Sequence, residues 1–141
     1  MYLVRLIYAS RISASFEQAD MGQILDSARK FNRANHITGL LYFNRKMFLQ
    51  CLEGPRETVN QAYAKITSDT RHEELTLLAF NEIGERLFEN WSMGYVPENK
   101  ATDGINLKYS TSPNFNPMLL SGDSALNLMI RLKTFMAGET G

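Results

Sequence analysis

Met47-Phe48-Leu49-Gln50-Cys51-Leu52-Glu53-Gly54 alternates as a β-strand does, which places Phe48, Gln50 and Leu52 on one face. An amide between a phenyl ring and a leucine is dry. Burying it without partners costs about 1–3 kcal/mol, so its carbonyl and its two N–H groups must be met by something. Two further polar groups are predicted to point into the same interior. In Tyr2–Ser10, a strand pattern puts Val4, Leu6 and Tyr8 on one face. In residues 17–34, Met21, Ile24, Leu25, Ala28 and Phe31 recur at helical spacing. Asn32 falls four residues after Ala28 and eight after Ile24, on the apolar stripe rather than the wet face. A phenol and two carboxamides aimed between a helix and a sheet form an uncharged hydrogen-bonding set. That set suits a flat ligand with heteroatoms along its edge better than it suits hydrolysis.

Working outward, Ile37–Phe43 is β-rich and Asn44-Arg45-Lys46 is a turn, so residues 37–54 read as a hairpin. Gly54-Pro55 ends the strand, and Pro55 is expected in the first turn of a second helix carrying Val59, Ala62, Tyr63 and Ile66 on one face. Asp69-Thr70-Arg71-His72 is read as a polar loop, Leu75–Phe80 as a fourth strand and Ser92–Val96 as a short last one. The order β-α-β-β-α-β plus one strand predicts an α+β, ferredoxin-like fold: a mixed sheet with two helices on one face. The groove between the helices, floored by the first and third strands, is where Tyr8, Asn32 and Gln50 should converge.

Residues 97–122 are punctuated by Pro97, Gly104, Pro113, Pro117 and Gly122, with a short helix expected around Gly104–Tyr109. Asp123–Met136 reads as a longer helix with Ala125, Leu128, Met129, Leu132 and Met136 on one face. It is expected to cover the bare back of the sheet or to serve as a movable docking element. The chain thus divides into 1–96, the candidate site domain, and 97–141, a linker and C-terminal helix that caps the sheet or carries the output.

Bulk properties narrow the function. A chain of 141 residues is one domain with room for a real core. Fifteen basic and fifteen acidic residues cancel, which removes the electrostatic case for nucleic acid or an anionic membrane. A single cysteine, Cys51, fits a reducing compartment. No apolar run reaches the roughly 20 residues a membrane helix needs, and the N-terminus reads as strand rather than signal peptide, so a cytoplasmic location is expected. His36 and His72 show no metal-ligand spacing. No Ser–His–Asp order, glycine-rich phosphate loop or close carboxylate pair stands out, and Glu53, Glu57, Asp69, Glu73 and Glu74 read as surface charge.

Five segments, in this order, closely resemble the BLUF family of blue-light receptors using flavin: Leu6–Ser10, Asn35–Leu41, Phe48–Gly54, Asp69–His72 and Trp91-Ser92-Met93. The resemblance covers residues 2–96. It implies a non-covalently bound flavin between the two helices, FAD in the first place, with FMN or riboflavin as alternatives. Tyr8 and Gln50 match the photochemical pair, so the resemblance implies light-driven transfer of an electron and a proton from Tyr8 and rearrangement of Gln50. Asn32 matches a side chain on the polar edge of the ring, and Ile24 and Ile66 match the aliphatic pair that sandwiches it. Lys65, Asp69, Arg71 and His72 match the pole around the pyrimidine edge and ribityl chain. Lys65 stands where Arg is common, and Phe31 stands where relatives carry a polar residue. Trp91 and Met93 match the signal-relay pair on the last strand, where i and i+2 should share a face. Short members of the family signal through a partner, which implies a downstream regulatory protein, a homo-oligomer and no enzymatic activity. The rival reading is a small ferredoxin-like enzyme, flavin-dependent or acylphosphatase-like. The acylphosphatase-like version wants a phosphate-cradling loop, and Arg11-Ile12-Ser13-Ala14-Ser15 lacks glycine.

Overall fold

The computed structural model describes residues 2–17, 19–110 and 112–140, with side chains through Met136. In chain order the elements are β1 (Leu3–Ile12), α1 (Asp20–Ala34), β2 (Thr38–Phe43), β3 (Met47–Pro55), α2 (Arg56–Thr67), β4 (His72–Ile83) and β5 (Gly94–Pro97). A 3₁₀ turn (Lys100–Thr102), α3 (Asp103–Tyr109), a second 3₁₀ turn (Pro117–Leu119) and α4 (Gly122–Thr140) complete them. The sheet runs β4-β1-β3-β2-β5. Its pairs are antiparallel except β2 with β5, which is parallel. The fold is α+β and ferredoxin-like, as the element order predicts.

β1, β3 and β2 are the inner strands, and β3, in the middle of the sheet, is covered on both faces: all nine of its residues are buried. That is why Met47–Pro55 can be apolar on both sides of its alternation while β4, an edge strand, mixes exposed and half-buried residues. One apolar cluster lies under α1 and α2 and includes Leu6, Leu25, Leu41, Leu52, Val59 and Met93. The other lies on the back of the sheet and includes Ile7, Leu40, Tyr42, Leu49, Phe88 and the α4 side chains Ala125, Leu128, Met129 and Leu132. Each large side chain so buried contributes about 1.5–3 kcal/mol, so α4 is part of the core and covers the back of the sheet.

Local chemistry sets the corners. Asn44 Oδ1 accepts the amides of Lys46 (2.7 Å) and Met47 (2.8 Å), which closes the β2–β3 hairpin. α1 ends where His36 turns to φ 59° and the Ile37 amide returns to the Asn32 carbonyl at 2.9 Å, a Schellman-type stop. That stop holds the Asn32 backbone against the start of β2.

Four expectations need correction. Pro55 precedes α2 as its N-cap instead of sitting in the first turn, since its ψ of 137° is extended. β4 begins at His72, which pairs with Ile12 of β1, so the histidine belongs to the strand rather than the loop. The last strand starts at Gly94, so alternation does not put Trp91 and Met93 on one face. Glu53 is no surface charge: it is fully buried and paired with Arg5.

Candidate functional site

Tyr8 and Gln50 stand directly opposite each other on the neighbouring strands β1 and β3, and their side chains share the helix-covered face. The Tyr8 hydroxyl donates to Gln50 Oε1. Both residues are nearly dry, at 3% and 6% exposure. Burial, reinforced by Tyr63 and Asp69, pushes the Tyr8 phenol far above its ordinary value, so it remains a protonated donor. The other half of the Gln50 amide is bound weakly: Nε2 donates to Met93 Sδ at 3.5 Å. A thioether is a poor acceptor, and a strong amide donor spent on it is held loosely.

Above this floor α1 and α2 leave a cleft of ≈ 260 Å³. One water needs only about 10–15 Å³ in this measure, so the space suits a ring system rather than a trapped solvent molecule. Ile24 and Ala28 line it from α1, and Ala62 and Ile66 from α2. Lys65, Asp69, Arg71 and His72 also line the cleft, as does Asn32. Every residue expected to hold the cofactor therefore borders one cavity: Ile24, Asn32, Gln50, Lys65, Ile66, Asp69, Arg71 and His72.

The polar groups are organised. Arg71 Nε and a terminal N–H fork onto the two Asp69 oxygens at 3.0 and 2.7 Å, and this contact holds the Asp69 carboxyl below its ordinary range. His72 Nε2 lies 2.6 Å from the Ile66 carbonyl, which can only accept. Nε2 therefore carries the proton, and in the neutral ring Nδ1 accepts from Ser10 Oγ at 2.9 Å. Lys65 Nζ sits 4.1 Å over the Phe31 ring, linking α2 to α1. Asn32 donates one N–H to the Ser92 carbonyl at 2.6 Å, leaving its second N–H and its oxygen for the cleft.

Trp91 and Met93 part company. Met93 is buried with the cleft-side cluster and touches Gln50, whereas Trp91 stacks on Phe88 at 6.1 Å and packs against the back-face core. Sequence reasoning missed Arg29 and Ser92. Arg29 Nε donates to the Met93 carbonyl at 3.1 Å and its guanidinium lies 5.5 Å from the Tyr95 ring centroid. Periodicity marks neither: Arg29 acts on a main-chain carbonyl of a distant segment, and Ser92, though inside the matched segment Trp91-Ser92-Met93, contributes its main-chain carbonyl to Asn32.

A dry phenol–amide pair beneath a slot with aliphatic walls and a polar rim fits an isoalloxazine. Comparison with known proteins agrees: residues 3–94 match the family described as BLUF, sensors of blue-light using FAD. The chain belongs to the BLUF family. Its structure is similar to BlsA in its photo-activated state, with a TM-score of 0.85 and 37% identity over 92% of this chain and 94% of that one. It is similar to BlrB, a BLUF protein, with a TM-score of 0.78 and 31% identity over 92% and 93% of the two chains. Among curated relatives, the photoactivated adenylate cyclase subunit beta of Euglena gracilis is 30% identical over 97 residues, 68% of this chain and 11% of that protein. The chain thus spans about a tenth of that larger relative. Residues 3–94 are a BLUF blue-light flavin sensor, and Tyr8 and Gln50 form the hydrogen-bonded pair of the family. BLUF domains bind FAD or FMN.

Proposed function

We propose that this BLUF domain switches through a turn of the Gln50 amide, driven from Tyr8, and that residues 97–141 pass the change to another protein. The observation that carries it is the unequal bonding of one amide: a strong bond to Tyr8 on one side, a weak bond to Met93 on the other.

A bound flavin supplies blue-light absorption and, in its excited state, an oxidising ring. Ile24 and Ile66 would hold that ring between the helices, with Asn32, Lys65, Asp69, Arg71 and His72 orienting its polar edge and side chain. Tyr8 provides the electron, and its O–H points along the bond to Gln50 Oε1, so its proton has a defined path. In the dark arrangement Gln50 accepts from the phenol and donates to sulfur. Tautomerisation alone would leave the oxygen against Tyr8 and move a proton from the amide nitrogen onto it. After rotation, the oxygen that faced Tyr8 would face the thioether, which has no proton to give. That arrangement is the poorer of the two, so it relaxes. The switch creates no net charge and biases a pre-existing two-state element.

The matches to BlsA and BlrB span more than nine tenths of each chain, which supports reading residues 97–141 together with the BLUF domain as one sensor unit. We take 1–96 as the sensor and 97–141 as the capping and output element. A downstream regulatory protein is the partner, and self-association is the first readout. Among the described residues no helix is long and apolar enough to cross a membrane. The test is an absorption spectrum of the purified chain before and after blue illumination. A yellow protein whose flavin bands move slightly to the red and revert in darkness supports the reading. A colourless protein that takes up no added FAD sinks it.

A further inference from the structure

Gln50 and Glu53 are three residues apart on β3, so they face opposite sides of the sheet. Both nevertheless hold the same stretch of chain, residues 86–93. Glu53 is fully buried. Its carboxylate accepts from Arg5 Nε at 2.9 Å, from the Leu87 amide at 3.0 Å and from the Phe88 amide at 2.9 Å. Arg86 adds bonds to Thr38 Oγ1 (2.9 Å), the Glu53 carbonyl (3.0 Å) and the His36 carbonyl (2.5 Å). A few residues on, the stretch reaches the cleft. The Gly39 amide donates to the Trp91 carbonyl, Asn32 to the Ser92 carbonyl, Arg29 to the Met93 carbonyl, and Gln50 to Met93 Sδ.

The two ends differ in kind. Charge-assisted bonds to a buried carboxylate are short and directional, whereas a methionine side chain is flexible and its sulfur accepts weakly. Met93 cannot position itself by its bond to Gln50. Its place must be set by whatever fixes the main chain leading to it, and Phe88, seated in the back-face core beside Trp91, transmits that placement.

We propose that Glu53 is a positioning residue of the light switch: with Arg5 and Arg86 it clamps residues 86–88 so that Met93 Sδ stands against the Gln50 amide. The proposal rests on the reading of Gln50 as the switch. It goes beyond that reading by assigning a role to a charged side chain on the far face of the sheet.

The experiment uses the full chain loaded with FAD. It measures the size of the light-induced shift and the rate of dark recovery in wild type, Glu53→Gln, Met93→Leu and the double variant. Glu53→Gln keeps the shape but removes the carboxylate charge that faces Arg5. It should change recovery by at least about threefold, in the direction Met93→Leu changes it, and should add nothing in the Met93→Leu background. Arg86→Met, which removes the clamp from outside the buried ion pair, should follow the same pattern, so the test survives if Glu53→Gln does not fold. Recovery within error of wild type in Arg86→Met overturns the proposal, and so do effects of Glu53→Gln and Met93→Leu that multiply independently. A wild-type chain that shows no shift overturns the switch reading itself. A shifting wild type with unmoved variants overturns only the clamp.

Discussion

Tyr8 and Tyr42 stand on opposite faces of the same sheet, and each gives its hydroxyl to a side-chain amide oxygen: Tyr8 to Gln50, and Tyr42 to Asn106 at 2.8 Å. Burial raises both phenols, Tyr42 to about 12 and Tyr8 further. What differs is the other end of each amide. Asn106 Nδ2 donates to Glu98 Oε2 at 2.7 Å and to the Pro113 carbonyl at 2.9 Å, so turning it would break two strong bonds. Among the described residues Gln50 Nε2 meets the Met93 thioether alone, and Gln50 borders the cleft whereas Asn106 is buried within the α3 region. A tyrosine–amide pair is therefore a lock or a switch according to the acceptors its N–H groups meet and the space beside it. The residue types alone do not decide.

The sharpest way to break that comparison is to remove each phenol in turn. Tyr8→Phe should retain flavin and lose the light-induced shift altogether, and Gln50→Ala should be equally silent. Tyr42→Phe should photocycle normally and lose about 1–3 kcal/mol of stability, the cost of leaving the Asn106 oxygen buried without its donor. Difference spectra and denaturant titrations measure the two effects. A normal shift in Tyr8→Phe, or its loss in Tyr42→Phe, would dissolve the distinction between the faces.

The back face should be the more sensitive one for stability. Leu128→Ala or Leu132→Ala deletes a fully buried α4 side chain against the sheet, which should cost about 2–5 kcal/mol while leaving the flavin spectrum in place. A stability loss below this range in denaturant unfolding would mean that α4 contributes less to the core than its buried face indicates.

The two faces were also unequally legible in the sequence. Alternation around Gln50 and the helical stripe through Ile24 and Asn32 are local patterns, and they placed the cleft correctly because β3 and α1 keep regular geometry over the residues concerned. Ile24 and Ile66 read as plain core on periodicity alone and only the family resemblance marked them as cleft walls. Glu53 was invisible as a buried charge because its partner, Arg5, lies 48 residues away. Tyr42, Asn106 and Glu98 form their network across loops that no periodicity organises. Trp91 and Met93 were paired by an alternation that fails because the strand starts one residue after Met93.

A smaller effect sharpens the role of the cleft edge. Asn32→Ala removes one amide that reaches both the cleft and the Ser92 carbonyl. Loss of a hydrogen bond from a buried ligand edge costs on the order of 1–3 kcal/mol, so flavin affinity should fall roughly 5- to 150-fold. Direct titration with FAD measures it, and unchanged affinity would remove Asn32 from the binding set. Dark recovery in the same variant shows whether its bond to Ser92 also matters to the switch.

The smallest predicted effect lies on the rim. Arg71 holds the Asp69 carboxyl below its ordinary range, chiefly through side-chain hydrogen bonds. A carboxyl whose folded value is depressed contributes stability that is present above the unfolded value of about 3.9 and is lost as pH falls through the folded value. Both side chains are partly exposed, at 27% and 31%, so solvent screening limits the contribution to about 0–1 kcal/mol. The stability gap between wild type and Asp69→Asn should be constant near neutral pH and should close as pH drops below about 4. Denaturation midpoints from about pH 6 to about pH 3 test this. A gap that is still open in acid would show that Asp69 matters through shape or cofactor contact rather than charge, and the rim would then belong with the fixed scaffold of the back face.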